Sequence, residues 1–328
     1  MTQAIQNGSL QTEINWHGKP YYSLDAYCKN TYGEKLYKVA LNAGLTCPNR
    51  DGSIGTGGCI FCSAGGSGDF ASPIRDISAF SDAFKESINH LAGKHTGRKY
   101  IAYFQAYTNT YGPISYLEQI YRLALSEPLS AGISIATRPD ALPPEVIELL
   151  ATLKAEFPHK FIWIELGLQT IHEETASFIR RGYPLSCFEE ALKKLQAIDI
   201  PVVVHVILGL PGETKTDMLT TINYLNHCPI WGIKLQMLHF LKDTDLGTLY
   251  QENSEHFNTF KSMDAYLELL MDTLTHLRPD IVIHRLTGDA PRKLLLAPLW
   301  STDKRQIFNL LHKRMKEQSA YQGQHLLS

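Results

Sequence analysis

The sequence predicts an α/β protein in which helices cover a parallel sheet. Short β-branched or apolar runs alternate with amphipathic helical stretches from residue 37 to residue 285. Strand, helix, strand repeated with right-handed crossovers places the strands side by side and parallel. No compositional shift, low-complexity segment or short repeat interrupts this stretch, and 328 residues suits one large α/β domain or two ordinary ones.

The strands are expected at Tyr37–Leu41, Tyr100–Gln105, Gly132–Ala136, Phe161–Leu166, Pro201–Leu208, Gly232–Leu238 and Ile281–His284. Ser78–Leu91 has apolar residues at helical spacing, and Pro143-Pro144 opens Glu145–Phe157 with proline where a first turn tolerates it. Further helices are expected at Pro184–Ile198, Glu213–Asn226, Met263–Leu277 and Lys304–Gln318. The core thus spans residues 37–285, flanked by an aromatic-rich extension (1–36) and a carboxyl-terminal one (286–328). The pattern does not separate an open doubly wound sheet from a barrel. In either, ligands bind at the carboxyl ends of the strands.

Composition narrows the class. Apolar residues are 44% and charged ones 20%, as in globular proteins with a real core. A net charge of −2 excludes a global basic field for nucleic acid or an acidic membrane. Met1 to Glu13 is polar with no apolar leader, and no run is long enough to span a bilayer, which predicts a cytosolic protein with no membrane partner. Its six cysteines are then expected to be reduced, so metal or cluster ligation outranks disulfides. Cys28, Cys187 and Cys228 stand alone and read as buried thiols.

Cys47, Cys59 and Cys62 lie together in AGLTCPNRDGSIGTGGCIFCSAGGSGDF, a glycine-dense loop after the first strand. Glycine lets the backbone turn tightly around a cubane. Structural zinc wants a fourth ligand that is not nearby, a redox C-x-x-C would not need Cys47, and an electron-transfer cluster normally has four cysteines. Three cysteines leave one iron of a [4Fe–4S] cluster open.

The run Cys47-Pro-Asn-Arg-Asp-Gly-x4-Gly-Gly-Cys59-x-Phe-Cys62 resembles the cluster loop of the radical S-adenosylmethionine (SAM) superfamily. It is most similar to the branch of the Elongator catalytic subunit and oxygen-independent coproporphyrinogen oxidases, and to bacterial members with this extended loop. Most of the superfamily has C-x3-C-x2-C, whereas this chain has C-x11-C-x2-C. The resemblance implies a partial (βα)6-type barrel, a [4Fe–4S] cluster and SAM bound to the open iron through its amino and carboxylate groups. It also implies an external one-electron reductant of flavodoxin or ferredoxin type, whose electron cleaves SAM to methionine and a hydrogen-abstracting 5′-deoxyadenosyl radical.

The resemblance directs attention to the strand ends. Where the family has Gly-Gly-Glu for the SAM amino group, this chain has Tyr103 to Tyr111, in which Gln105 and Asn109 offer acceptors. Arg138, after the third strand, either pairs with the SAM carboxylate or holds its own loop through Asp140. Glu165 and Gln169 flank Gly167 on one face, and one of them is expected on the ribose hydroxyls. Ile207 and Gly209 are expected against adenine, with the backbone around His239 at the adenine edge; His205 reads either as a ligand or as a satisfied core residue.

The substrate is less legible. Arg285 to Lys316 has eight Lys or Arg against Asp289 and Asp303, which reads either as a solvated helix face or as a phosphate-backbone footprint. The Elongator resemblance implies tRNA, with chemistry on the C5 side chain of the wobble uridine. The alternatives are a porphyrin-like or other small metabolite, and a non-catalytic Fe–S protein.

Overall fold

The computed structural model describes residues 14–66, 68–91, 97–257 and 260–326. An amino-terminal helix α1 (Leu24–Tyr32) leads into β1 (Tyr37–Asn42), and a long loop returns as the two-residue strand β2 (Ser72–Pro73). Strands and helices then alternate: α2 (Phe80–Asn89), β3 (Tyr100–Phe104), α3 (Ile114–Ser126), β4 (Ser130–Thr137), α4 (Pro144–Glu156), β5 (Phe161–Gln169), α5 (Glu173–Phe178), α6 (Leu185–Ala197), β6 (Val202–Leu208), α7 (Lys215–Asn226) and β7 (Gly232–Met237). Then come β8 (Phe240–Leu241), α8 (Asp245–Glu252), α9 (Met263–His276), β9 (Val282–Arg285), β10 (Leu295–Ala297) and α10 (Lys304–Glu317).

The main sheet has eight parallel strands in the order β2-β1-β3-β4-β5-β6-β7-β9. From β1 onward the order follows the chain with no reversal. A doubly wound sheet reverses at a switch point, so this is the winding of a barrel. Among the described residues its edge strands β2 and β9 are not paired with each other, so the barrel is partial.

Period-two alternation divides each strand. Val39, Leu41, Ala102, Phe104, Ile133, Ile135, Ile164, Leu166, Val204, Val206, Ile233 and Leu235 point outward into one core under α2, α3, α4, α6, α7 and α9. The inward residues alternate with these and differ by depth. At the amino-terminal end they are apolar: Ile101, Ala131 and Trp163 close against Cys28 and Leu36, with Tyr27, Phe161 and Trp231 packed around them. The rings of Phe161 and Trp163 stack 3.9 Å apart, and Tyr27 stands edge-on to Trp231 at 4.8 Å. Residues 14–36 are therefore the plug of this end, fastened by the Ile283 N–H to the Tyr22 carbonyl at 2.7 Å.

The seven main strands fall where the sequence places them, within two or three residues. Helix α3 was not expected, although Leu117, Ile120, Tyr121, Ala124 and Leu125 bury one face at helical spacing. α10 packs beside α9, and its end is tied to the amino-terminal segment through the Gln322 N–H to the Pro20 carbonyl at 2.9 Å. No helix of the described residues is long and apolar enough to cross a membrane.

Candidate active site

A cavity of about 600 Å³ opens at the carboxyl ends of the strands, a size suited to a cofactor and part of a substrate. Cys47, Cys59 and Cys62 form one wall. The loop that presents them is held from three sides. Asn49 donates to the Arg180 carbonyl at 2.7 Å and lies 3.6 Å from the Cys59 sulfur, while Arg50 donates to the Cys62 and Ser63 carbonyls at 2.8 and 2.7 Å. The Ile60 N–H reaches the Ile179 carbonyl at 3.2 Å. The long Cys47–Cys59 spacing thus contains its own clamps.

The glycines serve close packing. A side chain on Gly66 would run into the Tyr107 ring, and one on Gly68 into Ala106. Across that contact Ala106 and Tyr107 have φ of 82° and 59°, consecutive left-handed residues that cost about 1 kcal/mol or more each. The Tyr107 N–H bonds to the Gly66 carbonyl at 2.9 Å, so the turn after β3 and the cysteine loop lock together.

The fully buried Arg181 ties the loop's platform to β5. It donates to the carbonyls of Leu168 (3.2 Å), Thr170 (2.7 Å) and Tyr183 (2.9 Å). The cysteine donor set fits an open-iron cubane: three cysteines line one cavity, and the Asn49 amide lies beside the Cys59 sulfur. Among the described residues no three His, Cys, Asp or Glu side chains converge on one point as a single metal ion requires. A cubane offers a separate iron to each cysteine. Burial, followed by the neighbouring Cys62, pushes the Cys59 thiol up to about 11, with Arg138 acting in the opposite direction, so iron must displace this proton.

The sequence-predicted SAM contacts divide. Gln105, Gln169, Ile207 and His239 line the cavity. Gln169 has φ 65° at a register shift at the end of β5, which turns its amide back over Gly167. Asn109 and Gly209 are not on the cavity wall. Asn109 is buried and spends its amide on the Ala106 and Ala136 carbonyls at 3.1 and 3.0 Å. Gly209 has φ 88°, and the Phe260 ring occupies the place of a side chain. Arg138 lines the cavity, but its guanidinium is bidentate on Asp140 (2.9 and 2.6 Å) and reaches the Arg181 carbonyl at 3.0 Å; of its two expected roles, the loop-holding one matches these bonds.

Glu165 lies deeper than alternation alone could tell. It is 0% exposed, and four donors meet its two oxygens: Lys38, Ser134 (2.6 Å), Lys234 and His205 (2.7 Å). A carboxylate has about four acceptor sites, so little remains for a ribose hydroxyl. Burial works to raise this carboxyl, but Lys234, Lys38 and His205 together hold it well below the usual carboxylate range. Lys38 and Lys234, both missed as site residues, sit over the Tyr103 ring at 4.7 and 4.3 Å from its centre. Each is the one charged residue of its strand, a signal that alternation could have used.

The basic run does not form one patch. Arg285 and Asp289 line the cavity mouth and pair at 3.1 Å, and Lys304 at the start of α10 also pairs with Asp289. From there α10 runs down the barrel wall toward the plugged end, and Arg314 pairs with Asp264 on α9. Arg292 and Lys293 are exposed in the segment between the mouth and β10.

Comparison with known proteins gives the same picture. Residues 49–225 match the Radical SAM superfamily model, and residues 230–317 match the Radical_SAM C-terminal domain. The chain is 40% identical to the protein YtqA of Bacillus subtilis over 307 residues, covering 93% of this chain and 92% of that one. It is 34% identical to YhcC of Escherichia coli over 274 residues, covering 83% and 85%. Among solved structures, archaeal Elp3 from Methanocaldococcus infernus superposes with a TM-score of 0.64 at 15% identity over 88% of this chain; the chain spans 64% of that protein's length. The cysteine wall, the partial barrel and these matches agree: the chain belongs to the radical SAM superfamily, enzymes that use a [4Fe–4S] cluster, SAM and an external reductant.

Proposed function

We propose that this enzyme modifies the C5 side chain of a wobble uridine in tRNA. The observation that supports this reading is the cavity itself: cluster cysteines form one wall, Arg285 and Asp289 line the mouth with Lys304 paired to Asp289, and Arg292 and Lys293 are exposed a few residues further along the chain. Exposed cations near a deep cavity suit a substrate that lays a phosphate backbone outside and inserts one base side chain. Further support comes from a local match of 29% over 86 residues to a tRNA-2-methylthio-N(6)-dimethylallyladenosine synthase of Hahella chejuensis. The far half of α10 lies outside this footprint.

SAM bound here would lie across the strand ends, with Gln105 near its amino group, Gln169 near the ribose, and Ile207 and the His239 segment near adenine. When bound and reduced, the pair supplies a hydrogen-abstracting carbon radical. The residues of this chain orient that pair and shield it from water: the β5 end, the Ala106-Tyr107 turn and the apolar Leu238 wall. A flavodoxin- or ferredoxin-type donor would supply the electron.

Nucleosides from tRNA of a strain lacking the protein, compared with its parent, test the reading. We expect a changed wobble-uridine derivative, restored by the wild-type chain and not by a Cys59→Ala chain. An unchanged profile removes tRNA as the substrate. A small free metabolite is the second reading, favoured by the charged floor of the cavity; turnover on a metabolite with an unchanged tRNA profile would establish it.

A further inference from the structure

Beneath the strand ends the barrel interior gathers more basic groups than acidic ones. Lys38, Lys234 and Glu165 all face the cavity, with Tyr103, His205 and His284 around them. Two lysines share one carboxylate; burial lowers both, Lys234 well below its ordinary value, with Glu165 acting in the opposite direction. Burial, with the lysines adding to it, lowers His205 to about 4 and pulls His284 well below its ordinary value, so neither histidine carries a compensating or additional charge near neutrality. Arg285 at the rim is already paired with Asp289.

The hydrogen bonds are incomplete in the same sense. An ammonium has three N–H donors. Lys38 meets Glu165 and, at 3.4 Å, His284; Lys234 meets Glu165 and, at 2.9 Å, the Tyr103 hydroxyl. Each retains one donor, and both ammonium groups sit over the same Tyr103 ring, so the spare donors share one region of the floor. A buried donor without an acceptor is costly, and a ligand that supplies the acceptor recovers that cost.

We infer that Lys38 and Lys234 form a receptor for one carboxylate of the substrate, seated in the barrel beneath the cluster loop. One carboxylate accepts from both lysines and, with Glu165, supplies one negative charge for each of them. A phosphate monoester would bring about −1.5 to −2 charges beside the Glu165 carboxylate, more than two lysines can balance. The assignment deepens the function proposed above, since it says what the inserted side chain carries, but it stands equally for a small carboxylic acid.

The test uses anaerobically reconstituted enzyme melted in the presence of sodium acetate, inorganic phosphate or sodium chloride at matched ionic strength. A ligand of the native state raises the melting temperature. We expect acetate to give a saturable rise of about 2 °C or more, lost in Lys38→Met and retained in Lys38→Arg. An acetate response no different from chloride overturns the inference, as does a rise with phosphate alone or a full rise in Lys38→Met. Should Lys38→Met fail to fold, the wild-type titration decides by itself. An unchanged tRNA profile with the acetate rise intact would sink the tRNA reading and leave the receptor standing; a changed profile without the rise would do the reverse.

Discussion

The two ends of the barrel interior are made by the same strands and could hardly differ more. At the amino-terminal end Trp163, Phe161, Trp231 and Tyr27 pack ring on ring and leave no buried charge. One step along the same face, Trp163 gives way to Glu165, Trp231 is followed by Lys234, and Ile101 gives way to Tyr103. A further step reaches backbone that is itself strained, at Ala106, Tyr107 and Gln169. Stability is concentrated below, and groups that cost stability are concentrated above, where a cofactor and substrate can repay them.

The largest effect should come from breaking the upper end. Cys47→Ala, Cys59→Ala or Cys62→Ala removes a cluster ligand, and 5′-deoxyadenosine formation from SAM and dithionite should fall to background in each, with iron content reduced. Urea unfolding of the apoprotein should move little, since these thiols sit at the cavity wall rather than in a packed core. A variant that still cleaves SAM at wild-type rate would refute the ligand set.

Breaking the lower end should do the opposite. Trp163→Ala removes the largest fully buried side chain from the plug and should cost about 3–5 kcal/mol in urea unfolding. Folded molecules should still load iron and cleave SAM. If Trp163→Ala instead abolishes cluster loading in protein shown to be folded, the two ends are coupled and the division is wrong.

This contrast was partly legible in the sequence. Alternation put Glu165, Gly167 and Gln169 on one interior face, and the cysteine triad was readable from spacing and glycine content. Depth was not readable: period two says which face a residue takes but not how far down the barrel it sits, so Glu165 looked like a cofactor contact although lysines surround it. Arg181 escaped because its value lies in the backbone carbonyls it meets, and an irregular link has no period. Asn109 and Gly209 lie off the cavity wall for a simple reason. Residues just past a strand turn away from the cavity as readily as toward it.

Acid should weaken the upper end selectively. His205 and His239 are held at about 4, chiefly by burial, with neighbouring cations adding to it. Between an unfolded value near 6.5 and the folded value near 4, the unfolded chain binds more protons, so stability falls as pH falls through this window. The loss is up to about 3 kcal/mol for each histidine. Glu165, depressed below its ordinary range, keeps its contribution through this window and loses it only at still lower pH. Urea unfolding between pH 7 and 4.5 should therefore decline, and more gently in His239→Gln; equal slopes would remove His239 from the account.

The smallest effect sharpens which cysteines belong to which end. Cys28 is fully buried in the plug, where burial pushes its thiol up to about 11, and Cys228 is buried under α7. Neither lines the cavity, and neither does Cys187. Changing any of the three to alanine should leave iron content and the cluster's absorption unchanged and cost about 1 kcal/mol for the two buried ones. A cysteine that lowers iron content when replaced would have to reach the cavity from outside its wall. The plug would then be part of the site after all.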